Sequence, residues 1–192
     1  MTYAQKYALT HETISPDYVF GYLDIPILDR LFENYSLLDV GCGTAGYYQL
    51  LKNYRRIVGV DPSVEMLVEA EKFRSRFGWR NVEFVNSRFE DVDIKEQFDI
   101  VRIPGIYGFY ASWSIDAMHK VRALLKPSGI AILGAVVPRS IYRRVRKLVL
   151  GPLSKTIFES SFHKLLARAG LQSVFRIGLP HVDFFFVKPV GS

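Results

Sequence analysis

The sequence predicts a three-layer α/β fold in which helices cover both faces of a doubly wound sheet of seven strands. The sheet is expected to be mostly parallel and to end in an antiparallel hairpin. Three observations predict it: short apolar, β-branched runs recur along the chain, amphipathic segments alternate with them, and a glycine-rich loop follows the first run. The 192 residues are 49% apolar and 23% charged, a composition that supports a full core without disulfides.

Five of the apolar runs are short enough to be buried parallel strands, and each is followed by a helix-like segment. The runs are residues 37–40, 56–60, 82–85, 98–103 and 130–137. The clearest helical segments are residues 47–53, 63–77 and 116–125, the last of which is expected to end in a turn at residues 126–129. This alternation predicts right-handed crossovers between parallel strands.

The ends of the chain depart from that rhythm. A helix predicted over 159–169, closed by Gly170, precedes two β-rich runs at 173–177 and 182–187. Only four residues separate these runs, too few for a parallel crossover, so the two strands should be antiparallel. Residues 1–35 have one apolar helical face and are expected to form a cap.

The glycine loop carries the first functional signal. Gly41, Gly43 and Gly46 follow a strand in a G-x-G-x-x-G pattern, and Asp61 ends the next strand, where a carboxylate can accept both hydroxyls of an adenosine ribose. Asp39 lies two residues before the first glycine and would repel the pyrophosphate of a dinucleotide, which disfavours a dinucleotide-dependent oxidoreductase. A cationic nucleotide such as S-adenosylmethionine reverses the sign of that interaction.

With these residues in place, the chain from about residue 36 to 188 resembles the class I S-adenosylmethionine-dependent methyltransferases. The segment LLDVGCGTAGY is similar to the first motif of the family, and GVDPSVEML to its ribose-binding acid and following helix. Three later segments, NVEFVNSRFEDV, FDIVRI and KVRALLKPSGIAIL, resemble the third to fifth strand regions. The terminal hairpin resembles the family's seven-stranded sheet, whose last strand inserts antiparallel.

The resemblance implies S-adenosylmethionine as cofactor and a set of residues that bind it. Arg88 departs from the family, since relatives commonly place there an Asp that accepts from the adenine amino group. Cys42 is interpreted as a buried filler, with a nucleophile of low pKa as the alternative. The expected binding residues are Asp39, Gly41, Cys42, Gly43, Gly46, Asp61, Pro62, Met66, Arg88, Phe89, Glu90 and Ile103.

Candidate residues for substrate and catalysis remain open at this level. His11 and His181 are each either a general base or a solvated histidine, whereas His119 and His163 are expected on the surface or in packing. The aromatic residues of 107–110 either line the ligand edge or pack beneath the N-terminal segment. No catalytic residue is assigned and no metal site is predicted.

The net charge of +6 is concentrated in one stretch. Between Ala117 and Phe158 there are nine Lys or Arg and no acid. The part from Arg139 to Lys147 is either a basic lip at the ligand edge or an ordinary solvated helix face. A small molecule is the expected substrate; the alternatives are RNA or another polyanion docked on this stretch, or a non-catalytic partner subunit.

The chain is expected to be one methyltransferase domain, residues 1–192. Its parts are the cap at 1–35, a cofactor-binding half at 36–137, and a basic lip with the C-terminal hairpin at 138–192. The N-terminus has no apolar run with a cleavage site, and the longest apolar stretch is far shorter than a membrane span. A soluble, cytoplasmic protein is therefore expected.

Overall fold

The computed structural model describes residues 30, 32–104, 112–135, 157, 159–178 and 183–191. The strands in these ranges form one seven-stranded sheet of order β3-β2-β1-β4-β5-β7-β6. The mostly parallel sheet with an antiparallel C-terminal hairpin confirms the predicted fold class. The chain divides into two compact units, residues 1–93 and 94–192. Whether it is a single domain stays a prediction.

The first unit contains three parallel strands in the order β3-β2-β1. Nearly every residue of β1 and the second half of β2 is buried, which is why both read as continuous apolar runs. Its elements are β1 (Tyr35–Val40), a 3₁₀ helix (Gly46–Leu50), β2 (Tyr54–Asp61), α1 (Val64–Phe77) and β3 (Val82–Asn86).

Helix α1 begins and ends as its sequence predicts. The Ser63 hydroxyl accepts from the Met66 N–H at 3.3 Å and caps the first turn, while Gly78 ends the helix with a left-handed φ of 65°. Leu67, Ala70 and Phe73 form the buried face. The prediction of a helix over 63–77 is thus confirmed.

The second unit carries the rest of the sheet in the order β4-β5-β7-β6. Strands β4 and β5 are parallel, whereas β7 pairs antiparallel with both β5 and β6, as the four-residue connection predicts. Its elements are β4 (Phe98–Ile103), α2 (Ile115–Leu124), β5 (Leu125–Ala135), α3 (Glu159–Arg168), β6 (Leu171–Gly178) and β7 (Asp183–Pro189).

Three local predictions are wrong. Residues 87–97, between β3 and β4, contain turns but no helix. The segment after β1 is a short 3₁₀ helix rather than a helix over 47–53, because Ala45 and Leu51 end the regular backbone at either side. Residues 126–129 lie inside β5 as a bulge rather than forming a turn. Phe98 pairs with Leu125 and Ile100 with Ile130, so a step of two residues along β4 corresponds to a step of five along β5.

Several predictions concern residues outside the described ranges. They are most of the cap at 1–35, the aromatic residues of 107–110, the histidines His11 and His181, and the basic stretch from Arg139 to Lys147. His119 and His163 lie exposed on α2 and α3, in agreement with the surface interpretation. None of the helices within the described ranges is long and apolar enough for a bilayer crossing.

Candidate functional site

The loop after β1 turns through three residues with left-handed backbone. Gly41 has a φ of 79° and Gly43 a φ of 55°, values that glycine adopts without strain. The third is Ala45, with a φ of 54°, whereas Gly46 begins the 3₁₀ helix. The Gly41 and Cys42 N–H groups both donate to the Val60 carbonyl, at 2.7 and 3.2 Å, and so hold the loop against the end of β2.

Asp61 joins this loop to the start of α1. Its Oδ2 accepts from the Gly43 N–H at 3.0 Å, and its Oδ1 accepts from the Ser63 N–H at 2.8 Å. Burial raises the pKa of the Asp61 carboxyl, the two N–H donors lower it, and the nearby charge of Asp39 raises it further. Asp61 as a residue is 8% exposed, slightly more than the fully buried Asp39.

Asp39 lies deeper than Asp61 and is fully buried. The Tyr47 and Tyr48 hydroxyls both donate to its Oδ2, Tyr48 at 2.9 Å. Asp39 is in register with Gly59 of β2, and a Cβ on Gly59 would lie 2.9 Å from the Tyr48 hydroxyl oxygen. Because Gly59 has no side chain, the Tyr48 hydroxyl has space to donate to Asp39.

Tyr48 is fixed on several sides. Its ring stacks on Phe84, with the ring centroids 6.2 Å apart. The centroids of Trp79 and Tyr47 lie 5.7 and 5.0 Å from it. Burial, followed by the charge of Asp39, raises the pKa of the Tyr48 hydroxyl well above its ordinary value. The hydroxyl therefore stays protonated and acts as a donor.

Cys42 is 2% exposed, and burial together with the charges of Asp39 and Asp61 raises the pKa of its thiol well above the ordinary value. A thiol in this environment is not the anionic nucleophile that low-pKa cysteines provide. The interpretation of Cys42 as a buried filler agrees with these surroundings.

Thr44 has an unusual hydroxyl. The residue is 1% exposed, and its Oγ1 has no hydrogen-bond partner in the described part of the chain. Leaving a buried hydroxyl without a partner costs about 1–3 kcal/mol. Its place in the glycine loop, between the two residues Gly43 and Ala45, makes this orphaned oxygen a candidate ligand contact.

The segment after β3 completes the corner. The Asn86 amide and the Ser87 N–H both donate to the main-chain carbonyl of Asp61, at 3.1 and 3.3 Å. Phe89 is buried, while Arg88 and Glu90 are exposed. Pro62 is exposed and Met66 is half-buried beside the capping Ser63.

The first unit therefore contains every predicted cofactor residue except one. Gly43 of the glycine loop and Asp61 at the end of β2 are in direct contact, and Asp39 is fully buried near the end of β1, just before that loop. The exception is Ile103, which ends β4 in the second unit, is fully buried and pairs with Leu133. Asp183, the first residue of β7, is a fully buried acid in that unit and pairs with Ala135 at the end of β5.

Sequence reasoning missed Tyr47, Tyr48, Thr44 and Asp183. Tyr47 and Tyr48 were placed only in a predicted helix, since two adjacent aromatic residues carry no motif. The one available signal was that a buried acid such as Asp39 requires donors, which neighbouring hydroxyl-bearing residues can supply. Within the described ranges, no three His, Cys, Asp or Glu side chains come together as a metal site would require.

Comparison with known proteins gives two results from sequence. Residues 37–129 match a family model described as a methyltransferase domain. Over 98 residues the chain is 31% identical to the ubiquinone biosynthesis O-methyltransferase of Nitrobacter winogradskyi. This alignment covers 49% of the chain and 36% of the relative, so the chain spans about a third of the length of that curated protein.

Solved structures give the same fold. An S-adenosylmethionine-dependent methyltransferase from Clostridium acetobutylicum superposes with a TM-score of 0.72 at 16% identity, covering 91% of both chains. The 1,6-didemethyltoxoflavin-N1-methyltransferase of Burkholderia thailandensis, solved with 1,6-didemethyltoxoflavin and S-adenosylhomocysteine bound, has a TM-score of 0.68 at 18% identity. The superposition covers 99% of this chain and 92% of the Burkholderia protein. At these identities the likeness establishes the fold.

Proposed function

Because the chain contains a class I S-adenosylmethionine-dependent methyltransferase domain, we propose that it transfers the methyl group of S-adenosylmethionine to a nucleophilic atom of a small molecule. The match to the methyltransferase family model confirms, at the level of the family, the resemblance stated from the sequence. Two relatives support the choice of acceptor, since the Nitrobacter protein is named for the biosynthesis of a small molecule, ubiquinone, and the Burkholderia protein for a small-molecule acceptor.

The observation that carries the proposal is the corner formed by Gly43, Asp61 and Ser63. Each oxygen of the Asp61 carboxylate accepts one backbone N–H. An ionised carboxylate has about four acceptor positions, so each oxygen can accept one further donor. Two neighbouring hydroxyls of a ribose match that capacity.

The acceptor atoms and negative charges around the corner also fit the rest of the cofactor. Two acids, Asp39 and Asp61, lie near the ends of adjacent strands on either side of the glycine loop, and their negative charge favours a ligand with a sulfonium and an ammonium group. The orphaned Thr44 hydroxyl offers one more polar contact beside the glycine loop. These residues present acceptors where the cofactor has donors and positive charge.

When bound, S-adenosylmethionine supplies an activated methyl group on a positively charged sulfur. The chain contributes binding and alignment, which are sufficient where the leaving group is already activated. In the proposed arrangement Asp61 holds the ribose and the glycine loop approaches the methionine part. Further contacts come from Pro62 and Met66 at the adenine faces, from Arg88, Phe89 and Glu90 at the adenine edge, and from the carbonyl of Ile103.

Isothermal titration calorimetry with S-adenosylhomocysteine tests the proposal. We expect binding by the full chain, and an affinity about tenfold or more lower in an Asp61→Asn variant, since an amide loses half of the acceptors. Glu83→Gln is the matched control, because Glu83 is an exposed acid on β3 that pairs with Arg56 at 2.8 Å. If the unaltered chain does not bind S-adenosylhomocysteine, the fold assignment stands but the proposed methyltransferase activity is refuted.

The alternative acceptors require a second experiment. A polyanionic substrate such as RNA would be docked by phosphate contacts of Arg143, Arg144 and Arg146, and its methylation would depend steeply on salt. We expect transfer of a radiolabelled methyl group to small phenols or nitrogen heterocycles to survive replacement of these three arginines by Ala. A non-catalytic partner subunit would bind S-adenosylhomocysteine and methylate neither class.

A further inference from the structure

The segment that follows β3 lies directly beside Asp61. The Asn86 amide and the Ser87 N–H both donate to the main-chain carbonyl of Asp61, at 3.1 and 3.3 Å. The three parallel strands of the first unit are in the order β3-β2-β1, so the ends of β3 and β1 lie on opposite sides of the end of β2. A ligand whose ribose is held at Asp61 therefore has the glycine loop on one side and the segment after β3 on the other.

This strand order assigns the two ends of the proposed ligand. In S-adenosylmethionine the ribose lies between the purine and the amino acid part that carries the sulfur. With the amino acid part at the glycine loop, as proposed above, the purine extends toward the end of β3. The residues that directly follow β3 are therefore the ones that meet the hydrogen-bonding groups of the purine.

The main-chain carbonyl of Arg88 in this segment is already occupied. It accepts from three donors, namely the Ser87 hydroxyl at 3.0 Å, the Asp91 N–H at 3.2 Å and the Val92 N–H at 3.0 Å. A carbonyl oxygen has two lone pairs, so these three contacts use its acceptor capacity. The 6-amino group of adenine requires an acceptor and does not find one at this oxygen.

The side chain of Arg88 supplies donors to a purine. Arg88 is exposed, and within the described part of the chain its guanidinium makes no hydrogen bond or ion pair that would hold it elsewhere. A guanidinium has five N–H donors and no acceptor. It matches a purine with a carbonyl at position 6 beside the N7 acceptor, whereas the 6-amino group of adenine presents a donor to a donor.

We propose that Arg88 determines the purine specificity of this site, and that the site binds a 6-oxopurine ligand about as tightly as the adenine ligand or more tightly. This inference rests on the proposed function and adds to it the hydrogen-bonding character of one edge of the purine. The opposing outcome is recognition of the 6-amino group by the amide oxygen of Asn86 or by the exposed acids Glu90 and Asp91.

Two ligands that differ in the purine test this specificity. S-inosylhomocysteine has a carbonyl at position 6, where S-adenosylhomocysteine has an amino group. In calorimetry with the full chain, we expect the dissociation constant of S-inosylhomocysteine to be at most about threefold that of S-adenosylhomocysteine. A larger preference for the adenosyl ligand would show that another group accepts the 6-amino group, and it would overturn the proposal.

Two substitutions of Arg88 test whether its donors cause this specificity. Arg88→Met removes the donors and should weaken S-inosylhomocysteine binding about fivefold or more, while S-adenosylhomocysteine binding stays within about twofold. Arg88→Asp supplies an acceptor and should shift the ratio of the two affinities toward S-adenosylhomocysteine by about tenfold or more. Equal effects on both ligands would indicate a role in the local turn alone and would contradict the proposal.

Arg80→Asp is the matched control for charge. Arg80 precedes β3 whereas Arg88 follows it, and both side chains are exposed. The two Asp variants change the net charge by the same amount, so a general electrostatic effect would appear in both. We expect the ratio of the two affinities to stay within about twofold in Arg80→Asp. A shift as large as that in Arg88→Asp would assign the effect to net charge and refute a specific role of Arg88.

The outcomes separate this inference from the proposed function. If the unaltered chain binds neither ligand, the cofactor assignment fails and this inference fails with it. If the chain binds S-adenosylhomocysteine and excludes S-inosylhomocysteine, the cofactor assignment stands and Arg88 does not set the purine specificity.

Discussion

Replacing Gly59 by Ala tests how tightly the corner beneath the glycine loop is packed. A Cβ at this position would lie 2.9 Å from each of three atoms: Cys42 Sγ, Phe84 Cδ1 and the Tyr48 hydroxyl oxygen. Cys42 and Tyr48 are buried and Phe84 is half-buried, so making room for the Cβ would disturb packed side chains. Gly59 is thus required by space, since its backbone has no positive φ.

The expected magnitude follows from opposing contributions. Ala is better than Gly inside a strand by about 0.5–1 kcal/mol, whereas overpacking a filled core costs about 1–3 kcal/mol. Displacing Tyr48 from Asp39 adds about 1.5–3 kcal/mol, because that hydrogen bond involves a charge. We therefore expect Gly59→Ala to lower the free energy of unfolding by about 2–4 kcal/mol, or the melting temperature by roughly 4–16 °C.

Thermal unfolding followed by circular dichroism measures this change. Gly78→Ala is the control, because it adds a Cβ in open space at a left-handed φ of 65° and should cost only about 1 kcal/mol. Cys42→Ala in the Gly59→Ala background removes one of the three clashing atoms and should restore part of the loss. A Gly59→Ala protein that melts at or above the temperature of the unaltered chain would refute the packing argument.

Four further measurements test other parts of the structure. Ribose hydroxyls favour the ionised form of Asp61, so S-adenosylhomocysteine affinity should fall as the pH drops through its raised pKa, and Asp61→Asn should remove this pH dependence in calorimetry. The same raised pKa makes the contribution of Asp61 to stability greatest below its unfolded pKa, and this contribution is lost as the pH rises through the folded pKa; unfolding of the Asn variant at several pH values checks the sign. Thr44→Val should not lower the melting temperature of the free protein, because the Thr44 hydroxyl has no hydrogen-bond partner in the described part of the chain, but it should reduce the rise in melting temperature that S-adenosylhomocysteine produces. A lower melting temperature of the free variant would contradict the absence of a partner for this hydroxyl. Gly134→Ala would place a Cβ 1.9 Å from the Pro104 carbonyl oxygen, a backbone atom, and should cost about 3 kcal/mol or more in urea unfolding.

The sheet could be predicted from sequence because its strands carry their own signal. The strands β1 and β4 and the second half of β5 are almost entirely buried and therefore read as apolar runs. The four-residue connection before β7 permits only an antiparallel hairpin, which the pairing of β6 and β7 confirms. Where the chain leaves the sheet between β3 and β4, no such constraint acts, and the predicted helix is absent.

The candidate site was predictable only in part. The spacing from Gly41 to Asp61 marks the ends of two adjacent strands, and the Gly43–Asp61 hydrogen bond brings those ends together. The left-handed turn at Ala45 could not be predicted, since alanine rarely adopts that backbone and Gly46 lies beside it. The joint contact of Tyr47 and Tyr48 with Asp39 depends on the path of a single 3₁₀ turn, which no spacing rule encodes.

One acid serving two neighbouring phenols also limits how this corner can diverge among descendants of the same ancestor. A lineage that loses Asp39 alone would remove an acceptor that two buried hydroxyls share, so we expect residues 39, 47 and 48 to change as a correlated set. Asp61 is held by main-chain N–H groups, which depend on the backbone path at positions 43 and 63 and not on the identity of a partner side chain. Covariation should therefore be strong around the first acid and weak around the second.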